Sequence, residues 1–126
     1  MIPIKQGQGE HHVCSAEFAM AVRDTLDVIS GKWKLPILGS LINGKKRFKE
    51  LQKDIPRITA RMLSKELREL EMNQLVKRTV YDTIPATIEY EKTPYGCSLD
   101  KVLFEMKEWG TQHRKRIIHK GKLKAE

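Results

Sequence analysis

The 126 residues predict a mainly α fold with one small β-hairpin, an α+β arrangement, and three observations carry that expectation. Apolar residues recur at helical spacing through several separate stretches. The segment from Leu75 to Thr93 is instead rich in β-branched and aromatic residues on either side of a turn. Asn43-Gly44, Pro56 and Pro94 fall at the joints between these runs.

Residues 1–13 read as a flexible arm, rich in Gly, Gln and His. A first helix is expected from Ser15 to Ile29, where Phe18, Val22, Leu26 and Ile29 lie on one face at spacings of four, four and three. "SGKWK" breaks it. The second apolar stretch, "WKLPILGSLING", reads as a buried helix stopped by Asn43-Gly44, with Pro36 near its first turn, where a missing N–H costs least. A short third helix, "RFKELQKDI", groups Phe48, Leu51 and Ile55 before Pro56 ends it.

The next helix, "TARMLSKELRELE", is the most informative. Thr59 is placed to cap it. At about 100° per residue, Ala60, Leu63, Leu67 and Leu70 form a core stripe, while Arg61, Lys65 and Arg68 gather on roughly the opposite side. Glu66 and Glu69 fall on a third side, so the basic stripe is not the mixed-charge face of an ordinary solvated helix. Then "LVKRTVYD" and "TIEYEKT" flank "TIPA" as a hairpin. A last helix is expected from about Tyr95 to Ile118, with Leu99, Val102, Leu103, Met106, Trp109, His113 and Ile117 along one side. Residues 14–120 thus form one domain, and residues 121–126 a frayed tail.

Composition narrows the function. With 40% hydrophobic and 32% charged residues, the chain is that of a folded globular protein, and 24 Lys and Arg against 16 Asp and Glu give a formal charge of +8. That balance favours a polyanionic partner. "MIPIKQGQGE" does not resemble an export signal, and "LPILGSLI" is too short to span a bilayer, so a cytoplasmic protein is expected. No G-x-S-x-G, Gly-rich phosphate loop or H-E-x-x-H occurs, which argues against an enzyme, and no cofactor or metal is expected.

A helix, a tight turn, a second helix and a hairpin make the order of a winged helix-turn-helix, in which the second helix can enter a DNA major groove. The basic groups then fall where phosphates would lie. Lys45, Lys46 and Arg47 enter the third helix, Arg57 sits in the turn, Arg61, Lys65 and Arg68 line the recognition helix, and Lys77 and Arg78 ride on the wing. Arg61 can offer a bidentate fork to guanine, Lys65 or Arg68 can do the same or grip phosphate, and Thr59 and Ser64 are short donors. The turn and wing residues set the register on the backbone. Two competing readings are a solvated stripe with salt bridges such as Lys65 to Glu69, and a winged helix used for protein interaction or RNA binding.

The combination of "LDVISGKWKLPIL", "RFKELQKDIPRITARMLSKELRELE", "YDTIPATIEYEKTPYG" and the tryptophan of "EMKEWG" resembles the HxlR-type winged helix-turn-helix regulators, relatives of the MarR group. The likeness covers about residues 24–112. It implies a homodimeric bacterial transcription regulator on double-stranded DNA, paired through its first and last helices, with Thr59 to Met72 in the major groove and the wing near the minor groove or backbone. Two positions depart from the family pattern. Pro36 replaces an aliphatic residue, and Lys92 replaces a leucine, which implies a more exposed end to the hairpin.

Some members of the family sense oxidants or electrophiles through a cysteine near the amino terminus, which makes Cys14 a candidate redox sensor. It precedes a helix start, which favours thiolate. It also lies farther from "LDVISGKW" than the family's usual cysteine, and the simpler reading is an ordinary reduced thiol. Cys97 is expected to pack. His11 and His12, adjacent and without further ligands, make a poor metal site. Trp33 and Trp109 are expected to anchor the core or a dimer, and an apolar pocket between subunits could hold a small-molecule effector. His113 is expected to pack or hydrogen-bond.

Overall fold

A computed structural model describes residues 15–125. The amino-terminal arm, with Cys14, His11 and His12, lies outside the described residues. The chain divides into two compact units, with the division between Lys32 and Trp33. In the first, α1 (Ser15–Ile29) carries the expected apolar periodicity. Ile29 is buried, while Phe18, Val22 and Leu26 are exposed.

The second unit begins with α2 (Lys34–Ser40), which keeps Pro36 in its first turn. Its chain reversal ends at Gly44, whose φ of 132° is a conformation that side chains with a Cβ rarely adopt. A two-residue strand, β1 (Lys46–Arg47), leads directly into α3 (Phe48–Asp54). The Glu50 carboxylate accepts from the Arg47 N–H at 2.7 Å and satisfies a donor at the start of α3. After the turn comes α4 (Ala60–Met72), then β2 (Val76–Tyr81) and β3 (Thr87–Lys92).

The hairpin pairs antiparallel from Val76 opposite Lys92 to Tyr81 opposite Thr87. It is one strand richer than the sequence implied, because β1 adds to its open edge with Lys46 opposite Tyr90 and Arg47 opposite Glu89. A two-residue strand has no periodicity to read; pairing alone defines it.

The core of this unit is built from α2, α3, α4, β2, β3 and the turns between them. Ile37, Leu38 and Leu41, Leu51 and Ile55, Ile58, Leu63, Leu67 and Leu70, and Leu75, Val76 and Tyr90 are all buried. Each fully buried aliphatic side chain stabilises the fold by about 1.5–3 kcal/mol before entropy is set against it. Ala60, expected on this stripe, is instead exposed. As the first helical residue it projects past the packed surface.

α4 ends in a Schellman motif. Leu75 N–H reaches Leu70 C=O at 3.0 Å, and Gln74, with φ of 63°, donates to Glu71 C=O at 3.0 Å. Leu70 and Leu75 are both buried, in keeping with the apolar character that usually accompanies this cap. The wing therefore leaves α4 at a defined angle.

The last helix differs from expectation. It is divided into α5 (Pro94–Cys97) and α6 (Asp100–Ala125), separated by a turn at Ser98 and Leu99. Thr93 starts α5 by accepting from Gly96 N–H at 2.8 Å and donating to Gln74 C=O at 2.6 Å. Ser98 donates its hydroxyl to Tyr95 C=O, a local bond that competes with continuing the helix. α6 then runs past Ile118 to Ala125. Val102, Met106, Trp109 and Ile117 are exposed on it, so Trp109, 68% exposed, is no core anchor of the single chain. Its ring stacks on His113 with centroids 4.9 Å apart.

Lys92 corrects another expectation. Its side chain is only 3% exposed and pairs with Asp100 at the start of α6, so the end of the hairpin is covered. Cys97, expected to pack, is exposed.

Candidate nucleic-acid interface

The helix-turn-helix is set by two buried isoleucines. Ile55 and Ile58 pin the ends of the turn, and Arg57 between them takes a left-handed conformation with φ of 72°. For a residue with a Cβ that conformation costs roughly 1 kcal/mol, offset here by the packing on either side. Its side chain is exposed. Thr59 caps α4 as expected, accepting from Met62 N–H at 3.1 Å. The hydroxyl hydrogen remains available to an acceptor.

Because Leu63, Leu67 and Leu70 are sunk in the core, the helical repeat turns Arg61, Ser64, Lys65 and Arg68 outward, and all four are exposed. Among the described residues, the recorded ion pairs involve neither Arg61 nor Arg68 nor Arg57. Lys65 is less free. It lies 3.2 Å from Glu69 and 3.9 Å from Glu66, so it makes the i, i+4 salt bridge expected of it.

The remaining cations occupy different elements and have different partners. Lys46 pairs with Asp54 and donates to Ser40 Oγ at 3.2 Å. It thereby ties β1 to α2 and α3. The Lys46 hydrogen bond, followed by that from Ser40, holds the Asp54 carboxyl below the usual carboxylate range. Lys45 lies 3.6 Å from Glu89, donates to Tyr81 Oη at 3.4 Å and sits 5.8 Å from the centre of that ring. Arg47 is exposed, as are Lys77 and Arg78 on β2. Consecutive strand residues point to opposite faces, so Lys77 and Arg78 project on different sides of the wing.

The sequence reading overlooked Lys34. This α2 residue is buried, yet its ammonium lies 2.6 Å from both Glu66 and Glu69 of α4. Burial pulls its pKa down, but the hydrogen bonds to the two carboxylates outweigh that and leave it above the ordinary lysine value. Glu69 is held below the usual range by Lys34 first and Lys65 second. The available signal was the pair of acids on a third side of α4, more negative charge than their one local cation, Lys65, balances. Among the described residues no group of three His, Cys, Asp or Glu is placed to hold a metal, and no helix is long and apolar enough to cross a membrane.

A short helix, a pinned turn, a cationic second helix and an antiparallel ribbon define a winged helix-turn-helix module. The chain belongs to the HxlR-like helix-turn-helix family, whose sequence model matches residues 28–118. It is 48% identical over 96 residues to the uncharacterised HTH-type transcriptional regulator YdeP of Bacillus subtilis, spanning 76% of this chain and 75% of that one. Among solved structures it is similar to the redox regulator HypR in its reduced form, with 47% identity, a TM-score of 0.72, and coverage of 75% of this chain and 93% of that one. A MarR-family regulator from Enterococcus faecalis V583 gives 35% identity and a TM-score of 0.69 over 78% of this chain and 89% of that one. The chain is therefore a transcriptional regulator, and its family is not an enzymatic one.

Proposed function

We propose that the chain is a sequence-specific, double-stranded-DNA-binding regulator that acts in the cytoplasm as a homodimer on a two-fold symmetric operator. The observation that carries this reading is α4. One side of it is fixed in the core by three leucines, and the other presents Arg61, Ser64, Lys65 and Arg68 to solvent. A rigid, outward, cationic helix surface supplies both phosphate contact and base-edge donors. Thr59, Arg57, Lys45, Lys46, Arg47, Lys77 and Arg78 complete the contact set as backbone positioners. Of these, Lys45 and Lys46 must exchange their acidic partners for phosphate. The apolar residues left exposed on α1 and, separately, on α6 support pairing with a second copy through the first and last helices.

Selection from a pool of random duplexes tests this. The recovered sequences are expected to converge on two-fold symmetry with half-sites about 34–36 Å apart, or a multiple of that. Affinity should fall linearly with salt on logarithmic axes, with a slope of about −0.9 per phosphate contacted. A pool that fails to converge, or preferential retention of RNA, rejects the reading in favour of an RNA- or protein-binding module.

An oxidant or small-molecule effector acting through Cys14 is the regulatory part of the proposal, supported by the likeness to a regulator described as redox-responsive. Mild oxidant should change retention of the selected duplex by the wild-type chain and leave Cys14→Ser unaffected. An equal response in both removes Cys14 from the role.

A further inference from the structure

α4 carries its cations and its acids on neighbouring sides, and the acids compete with DNA for one of the cations. Glu69 contacts Lys34 through Oε1 at 2.6 Å and Lys65 through Oε2 at 3.2 Å. Glu66 does the same less evenly, at 2.6 Å to Lys34 and 3.9 Å to Lys65. The two ammonium groups thus share two carboxylates. They are not equivalent: the Lys34 side chain is 11% exposed and makes the shorter contacts, whereas that of Lys65 is 64% exposed and makes the longer ones.

We infer that Lys34 is a positioning residue for operator binding: by holding Glu66 and Glu69 from the flank of α4, it releases Lys65 to a DNA phosphate. The inference rests on the reading of α4 as the DNA-facing helix. Charge is the reason. With Lys34 in place, Lys65 can leave its acids and a cation still balances them at close range. Without it, Lys65 is left beside both carboxylates, at 3.2 Å from Glu69 and 3.9 Å from Glu66. Its departure would then place two uncompensated negative charges beside the phosphate backbone. Lys34 also joins α2 to α4 from a buried position, which holds the helix in the rotation that points Arg61 and Arg68 outward.

A double-mutant cycle read as a salt slope tests this, using the full chain and a mixed-sequence duplex of about three helical turns. In the wild-type background, Lys65→Met should reduce the slope by about 0.9 per lysine contact. Lys34→Met should reduce it by a similar amount, and adding Lys65→Met to it should change nothing further. Lys34→Arg, which can still bridge both acids, should keep the wild-type slope. A Lys65→Met effect that persists undiminished in the Lys34→Met background overturns the inference alone. No Lys65→Met effect in the wild type overturns the phosphate role of Lys65 as well.

Removing a partner from a buried pair can also unfold a protein. Where Lys34→Met does so, Glu69→Gln carries the test from the other side. It should keep the wild-type salt slope, because Lys65 is already released to phosphate while Lys34 holds the acids, and adding Lys65→Met should lower that slope by about 0.9 per lysine contact. A slope that rises in Glu69→Gln shows that the acid, not the phosphate, held Lys65 in the wild type and overturns the inference.

Discussion

Replacing Arg61 by alanine is expected to weaken binding to the selected duplex by about 1–3 kcal/mol and to flatten the base preference at one position of each half-site. Three features set Arg61 apart. It lies in the first turn of α4, the end of a recognition helix that meets base edges in this class of fold. It is exposed, and among the described residues no recorded ion pair must be broken before its guanidinium turns to a base. Its planar fork also fits the two acceptors of guanine, which a lysine ammonium matches less well. Lys65 provides the contrast, since its contact to Glu69 at 3.2 Å must be exchanged. Titrations against the selected duplex and its single-base variants would show the effect. Equal affinities and an unaltered preference in Arg61→Ala would exclude Arg61 as a reader of sequence.

Gly96→Ala is expected to be the most damaging single methyl addition among the glycines of the described residues. A Cβ there would sit 2.1 Å from the carbonyl oxygen of Leu75 and 3.0 Å from its carbon, and both obstacles are backbone. Neither can rotate away. α5 must shift, or the Gln74–Leu75 link must, and that link joins α4 to the wing. The shift also threatens two hydrogen bonds, from Thr93 N–H to Leu75 C=O at 3.1 Å and from Thr93 Oγ1 to Gln74 C=O at 2.6 Å.

Overpacking of this kind costs about 1–3 kcal/mol, and each lost hydrogen bond adds about 1 kcal/mol. Urea unfolding should register the loss as a lower midpoint at constant slope. Gly39→Ala, where nothing lies within 4 Å of the added carbon, serves as the control and should be neutral or slightly stabilising. A Gly96→Ala midpoint equal to that of the control would show that the close approach is not a constraint.

Much of this architecture could be read locally. Leu63, Leu67 and Leu70 announce α4 because a helix repeats within four residues, and Thr59 announces its start because a cap acts over three. The β-branched runs around "TIPA" identify the hairpin for the same reason. What stayed hidden depends on residues far apart in the chain. β1 exists because Lys46 and Arg47 lie beside Tyr90 and Glu89. The start of α5 is fixed from afar, since the Thr93 hydroxyl that caps it also reaches Gln74, 19 residues back. Lys92 looked like an exposed substitute for an apolar residue until Asp100 supplied a partner on the next helix.

The candidate interface divides in the same way. The amino-acid order by itself determined that α4 would be amphipathic, that one side would be cationic, and that a turn and a ribbon would flank it, since each of these depends on contacts within one or two turns of chain. Only the tertiary structure decided that Lys45 and Lys46 are already engaged, because folding brings Glu89 and Asp54 to them, whereas Lys65 meets Glu69 four residues along its own helix. It also decided what balances Glu66 and Glu69, whose partner Lys34 lies 32 and 35 residues away. Coulombic interaction depends on distance in space, and separation along the chain does not encode that distance.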